Sequence, residues 1–196
     1  VVAEGAQAMG LTVLGFLDDD PATRGQSING IPVMGGTEKV GTLEPDAGFA
    51  IGIGSNRTRA KVAAMLEGRQ CRTVGVIHPS AVIASHTRIG EGVYIGPLAV
   101  VHVNARIGRH CIVNTGAIVD HECAMDNFAH VSANVILGGA SRVGEGSLVG
   151  VGASVLPTLT IGSWSEVGAG AVVTRDLGDG VVAYGVPARV KRRVAS

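Results

Sequence analysis

From residue 77 onward an aliphatic side chain recurs at every sixth position. Ile77, Ile83, Ile89 and Ile95 open the series, Val155, Ile161, Val167 and Val173 close it, and only Met125 departs from Val, Ile and Leu. Four places after each aliphatic the residue is mostly small, as at Ala99, Ala105, Ala117 and Ser147, and glycine often follows the aliphatic directly. A period of six suits neither the 3.6-residue turn of a helix nor an array of hairpins. It suits a prism: each hexapeptide supplies a short strand and a corner, the aliphatic points inward, and three hexapeptides close one coil of a parallel β-helix. Residues eighteen apart then stack, and each coil buries its faces only against its neighbours, so several coils are needed for stability. The last coil leaves an open strand edge, which solenoids cover; residues 178–196 are expected to be that cap.

Residues 1–76 lose this register. Residues 2–9 read as a helix stopped at Gly10, 12–17 as a buried strand and 49–53 as another. Ser55 or Asn56 caps a helix running to about Glu67, with Val62, Met65 and Leu66 on one face and Gly68 just after its end. Residues 72–77 return as a strand and enter the solenoid. Strands alternating with helices predict a small parallel α/β sheet of Rossmann-like type, which binds ligands at the carboxyl ends of its strands. Asp18 and Asp19 stand at one such end and Gly54 at another. Asp-Asp-Asp-Pro is equally a good turn, and Gly-Ser-Asn a good helix start. Such a domain is expected to open with a strand and a glycine-rich loop before its first helix, and Val1 stands at or just before that helix. Either that segment lies outside these residues or the protein lacks it, and only in the second case does sugar-nucleotide binding fall away.

Composition narrows the classes. The chain has 196 residues, 46% hydrophobic but only 3% aromatic, so small aliphatics build its core. Sixteen basic residues balance sixteen acidic ones, so no overall field draws it to nucleic acid or to a membrane surface. No apolar run is long enough for a span, and no signal peptide is visible. Cys71, Cys111 and Cys123 are an odd set without a CxxC pair, read as buried small hydrophobes in a reducing cytoplasm.

The chemistry concentrates where the repeat turns polar. His121, two places after the inward Val119, should project outward, and Glu122 follows it. An imidazole can take a proton from an attacking amine or hydroxyl, and a nearby carboxylate raises its basicity and fixes its tautomer; Asp120 or Asp126 could serve as the orienting group instead. His130 precedes the inward Val131 and stacks between Ile112 and Leu148, either as a satisfied surface histidine or as the wall of a groove for an acyl-thioester arm. Cys123 falls at a small-residue position inside the prism, where a thiol makes a poor nucleophile. None of the six histidines stands eighteen residues, or a multiple, from another, so stacked metal ligands are not expected.

The order of a small nucleotide-binding domain, an Ile-Gly-Ser-Asn junction at 53–56, a hexapeptide solenoid, VDHEC at 119–123, FAHVS at 128–132 and YGVPA at 184–188 resembles one bacterial group. That group is the sialic acid O-acetyltransferase and UDP-N-acetylbacillosamine N-acetyltransferase family. The resemblance implies a left-handed parallel β-helix, spanning residues 77–177 behind the α/β domain at 1–76, that assembles as a homotrimer with active sites between subunits. It implies an acetyl-CoA-dependent acetyltransferase acting on an amino group, or a hydroxyl, of a nucleotide-linked amino sugar or sialic acid. His121 would be the general base and Glu122 the group that strengthens it. His130 and the backbones of Val151 and Ala169 would contact acetyl-CoA, although the family often has glycine where Ala169 stands. Asp18, Asp19 and Gly54 match positions that bind the nucleotide-sugar. Lys191, Arg192 and Arg193 either meet phosphates of CoA or form a solvated tail. Two other readings fit a bare solenoid: a non-catalytic scaffold and a zinc-dependent hydratase of the carbonic anhydrase kind.

Overall fold

The structure, a computed structural model, describes residues 1–43 and 46–194. Two-residue strands recur every six residues from Val76–Ile77 to Val172–Val173 and stack in parallel, in register, on partners eighteen residues away. Ile112 pairs with Tyr94 and His130, Ile118 with Val100 and Ile136, and Ala124 with Arg106 and Arg142. These triplets define the three faces of a left-handed prism. The first face carries Val76–Ile77 to Glu166–Val167, the second Val82–Ile83 to Val172–Val173, and the third Arg88–Ile89 to Thr160–Ile161.

The second residue of each strand points inward. Ile95, Val101, Val113, Val119, Val131 and Leu137 are wholly buried, and Ala99, Ala105 and Ala117 fill the corners between them. Each aliphatic so buried contributes about 1.5–3 kcal/mol. Serines inside the prism are satisfied: Ser165 donates from Oγ to the Gly178 carbonyl at 2.8 Å and accepts from Val181 N–H at 3.1 Å. From His86 to Gly170 each corner places one residue in the left-handed region. Gly92, Gly116 and Gly146 supply it without strain, whereas His110 (φ 54°), Glu122 (φ 60°) and Phe128 (φ 61°) adopt it at a cost of roughly 1–2 kcal/mol each. Neighbouring coils hold them there: Glu122 N–H donates to Val103 and Phe128 N–H to Arg109.

Past the last coil, Val181–Tyr184 continues the first face in parallel, and Arg189–Arg193 turns back antiparallel onto it. The cap therefore ends in an edge strand bearing Arg189, Lys191, Arg192 and Arg193, all exposed, a charged border that discourages further strand addition. The basic run is thus part of the cap hairpin, with Lys191 over the Tyr184 ring at 5.5 Å.

In front of the solenoid, α1 (Val2–Ala8) ends at Met9 before a left-handed Gly10, and α2 (Asn56–Gly68) starts at Ser55, whose Oγ accepts from Thr58 N–H at 3.4 Å. Gly68 is the last residue of α2 and does not follow it. The strands differ more from expectation. Only Phe16–Leu17 (β1) forms from the 12–17 stretch, half-buried, and Leu14 is exposed. Residues 49–53 contribute one bridge, Phe49 to Thr73. The sheet is completed by Ser27–Ile28 (β2) and Ile31–Gly35 (β3), a hairpin turning at Asn29 and Gly30, both left-handed. The order β1-β3-β2 makes the sheet mixed, since β1 and β3 are parallel but β2 and β3 antiparallel. The hairpin escapes a periodicity search because β2 is wholly exposed and lacks the apolar alternation that marks a half-buried strand.

Candidate active site

His121 and Glu122 form the corner between the second and third faces, in the middle of the stack. The Glu122 carboxylate lies 3.3 Å from His121 Nδ1, and both side chains are exposed. With Nδ1–H donated to Glu122, Nε2 is left as the free base. The two other carboxylates considered for this role are engaged elsewhere. Asp120 accepts the backbone N–H of His121 at 2.7 Å, and Asp126 holds Arg142 through contacts of 2.8 and 2.9 Å. The imidazole leans onto the next coil over Gly139: a Cβ there would lie 2.5 Å from Nε2 and 2.6 Å from Cε1. The missing side chain of Gly139 is therefore the seat of the ring, a role that periodicity does not reveal.

Cys123 follows, wholly buried, with its thiol beside Ser141 Oγ at 3.4 Å and its pKa pushed up by burial. Cys111, also buried, is pushed up to about 12 for the same reason. Neither is an available nucleophile. Cys71, expected to be buried, is only half so, because it closes the turn after α2 away from either core.

The front domain docks at the opposite corner. A column formed by His110, Phe128, Gly146 and Trp164 runs along the edge between the third and first faces. The His110 and Phe128 rings stack at 5.5 Å, and Arg57 lies 5.0 Å from the Trp164 centroid. Asn56 donates to the Gly146 carbonyl at 2.9 Å. Arg59, 1% exposed, reaches through the contact. Its guanidinium donates to the carbonyls of His110 (2.8 Å) and Phe128 (2.7 Å) in the solenoid, and of Ile53 (2.9 Å) and Gly54 (3.2 Å) in the front domain. Burial lowers its pKa to about 10, leaving it charged at neutral pH. The face of α2 that is buried is therefore Asn56, Arg59, Ala63 and Leu66; Val62 and Met65 flank it. The 3-4-3 spacing was visible in the sequence, but two of its four members are polar.

His130 sits at this junction. Burial, then the nearby Arg59 charge, lowers its pKa to about 4, and the Gly54 backbone opposes them weakly. Its ring is neutral at physiological pH, and neither nitrogen has a hydrogen-bond partner among the described residues. Gly54 is exposed, with open space where a Cβ would be, and Gly52 lies beside Val2 at the start of α1. Asp19 uses its carboxylate inside the domain. It accepts Thr37 N–H at 2.7 Å and the Thr37 hydroxyl at 3.2 Å, which hold its pKa below the usual carboxylate range. Asp18 accepts the N–H of Asp20 at 2.9 Å.

Val151 and Ala169 lie on the third corner, between the first and second faces, one coil apart and both exposed; Gly170 N–H donates to the Val151 carbonyl at 2.8 Å. One chain does not bring them to His121, because the whole second face intervenes, a span on the order of 15–20 Å for six residues. Within one chain the structure gathers His121 with Glu122, and His130 with Gly54. Among the described residues no three His, Cys, Asp or Glu side chains converge to hold a metal ion, and no helix is long and apolar enough to cross a membrane.

Residues 1–66 match the PglD N-terminal domain family. PerB from Caulobacter crescentus, solved in complex with CoA and GDP-perosamine, is 40% identical with a TM-score of 0.92, over 97% of this chain and 91% of that one. The acetyltransferase domain of PglB from Neisseria gonorrhoeae FA1090, solved with acetyl coenzyme A, is 37% identical with a TM-score of 0.93, over 97% and 93%. WeeI from Acinetobacter baumannii AYE is 26% identical with a TM-score of 0.87, over 95% and 91%. Galactoside O-acetyltransferase from Lactococcus lactis subsp. lactis (strain IL1403) is 46% identical over 50 residues, a stretch that spans 24% of that relative.

Proposed function

We propose an acetyl-CoA-dependent sugar acetyltransferase, from the premise that the chain belongs to the bacterial hexapeptide-repeat sugar acetyltransferases of the PglD and sialic acid O-acetyltransferase type. The acceptor is the amino group of a nucleotide-linked sugar. This choice follows the C. crescentus relative, solved with GDP-perosamine, and an exposed base suits an amine as well as a hydroxyl. Residues 1–76 hold the acceptor, 77–177 carry out the transfer and 178–196 close the prism. The reaction belongs in the cytoplasm, where the three free cysteines stay reduced.

The observation that carries the reading is the His121–Glu122 pair, an outward base oriented at 3.3 Å by its neighbouring carboxylate. His121 Nε2 takes the proton as the amine nitrogen attacks the thioester carbonyl. Glu122 stabilises the resulting imidazolium, and a backbone N–H steadies the oxyanion. The tetrahedral intermediate collapses, the C–S bond breaks, and the departing CoA thiolate takes the proton back from His121. Transfer is direct in this reading, and the buried Cys111 and Cys123 of the solenoid take no part in it. His130, neutral and half-buried, lines the acetyl-CoA groove with Val151 and Ala169, while Asp18, Asp19 and Gly54 face the nucleotide-sugar.

Since His121 and the Val151–Ala169 corner are a prism face apart, the complete site is formed between neighbouring chains of a homotrimer. The deciding experiment is thiol release from acetyl-CoA by wild type and His121→Ala, with nucleotide-linked amino sugars and free sialic acid as acceptors. Release with one acceptor, reduced about a hundredfold or more by the substitution as for loss of a general base, establishes the reading. Equal release by both proteins overturns the role of His121.

A further inference from the structure

Toward the N-terminus from Glu122 the catalytic edge continues as a polar ladder. His86, Asn104 and Glu122 hold the same corner position in three successive coils, with φ of 60°, 62° and 60°, so their side chains leave the prism in line. One step onto the third face, Arg88 and Arg106 are direct strand partners. Both are exposed, and neither joins an ion pair or donates a side-chain hydrogen bond among the described residues. Arg142, in the same column, is instead neutralised by Asp126 at 2.8 Å. With Thr87, these residues line an open cleft of ≈ 620 Å³ that Glu122 borders.

Like charges directly opposite on strands about 5 Å apart, as Arg88 and Arg106 are, destabilise the sheet locally. An anion between them removes that cost, and the guanidinium fork suits phosphate oxygens. We infer that the cleft receives the diphosphate of a nucleoside diphosphate-linked amino sugar, with Arg88 and Arg106 clasping the phosphates while the amine reaches His121. The inference rests on the acetyltransferase reading proposed above.

The polarity of the site chooses the acceptor over CoA, whose diphosphate has the same chemistry. Val151 and Ala169 belong to coils after His121. Arg88 and Arg106 belong to coils before it, on the side where α1 packs on Val76, Tyr94 and Ile112. Distance agrees as well. The anomeric phosphate and an amine across the sugar are separated by one pyranose ring, and Arg106 is one coil from the level of Glu122.

The test is steady-state kinetics of Arg88→Gln, Arg106→Gln and the double variant, varying acceptor and acetyl-CoA separately, with melting temperature and oligomeric state as folding controls. In the double variant the acceptor KM rises about tenfold or more, as expected for loss of two charge-assisted contacts, while kcat and the acetyl-CoA KM stay within about threefold. Arg106→Lys recovers part of the loss, and added salt raises the acceptor KM less in the double variant than in wild type. A rise confined to the acetyl-CoA KM overturns the assignment and moves the cleft to the donor; unchanged constants for both substrates overturn it outright. A wild type without His121-dependent transfer removes the acetyltransferase reading itself, so the two failures are distinguishable.

Discussion

His121 was legible in the sequence because it breaks a rule: an aliphatic register held over many coils makes an outward His-Glu pair conspicuous. What orients the pair was not legible. Gly138 and Gly139 look alike in sequence, yet a side chain at Gly138 would strike the backbone at Pro157, whereas one at Gly139 would strike only the His121 ring. The first is a demand of the coil and the second a demand of the site. Gly139→Ala should therefore leave the prism intact and displace the imidazole by tenths of an ångström to an ångström, lowering kcat by about ten- to a hundredfold. Single-turnover kinetics beside a melting curve checks this; a variant with full kcat would show that the ring needs no such seat. His130 illustrates the opposite limit. Its position on the first face was readable from the period of eighteen, but its neutral state comes from burial and then from the charge of Arg59, which belongs to another part of the chain.

At the scale of elements, α2 joins the two halves of the molecule, and Arg59 is the strut inside it. A buried cation facing only carbonyl and amide oxygens is costly to desolvate, and its hydrogen bonds offset that cost while fixing Gly54 against the coils of His110 and Phe128. Arg59→Met keeps the bulk and removes every donor. Backbone amides of α2 should then exchange with deuterium about a hundredfold faster, equivalent to ~3 kcal/mol, while Val113, Val131 and Val149 remain protected as part of an independently cooperative unit. Unchanged exchange in α2 would mean that the aromatic column alone holds the front domain. The solenoid strands and both helices follow from periodicity and caps. The three-stranded sheet does not, because β1 and β2 are two residues each and carry too little pattern to separate from loop. Nor does an arginine inside a helix face announce its burial when its partners are carbonyls, which every residue has.

For the whole molecule, the roles proposed for His121 and for the Val151–Ala169 corner, a full face apart on one chain, make assembly part of the proposed catalysis. Chains bearing His121→Ala and chains bearing Val151→Arg, each inactive alone, should regain about a quarter of wild-type activity when mixed as randomly exchanged trimers, since one site in four then draws both intact corners from different chains. Subunit exchange followed by activity assay measures this, and absence of recovery would place the whole site within one chain. The stacking register has a further consequence, for how such a molecule changes over generations. Adding or deleting six residues turns every later coil by one face and carries the donor corner away from its groove. Adding or deleting eighteen slides those coils along the axis with their bearings unchanged. The solenoid is thus tolerant of growth in whole coils and intolerant of anything smaller. The stretch proposed to accommodate the thioester arm can lengthen while the stretch proposed to meet the sugar stays as it is, like a drawer sliding in a fixed frame.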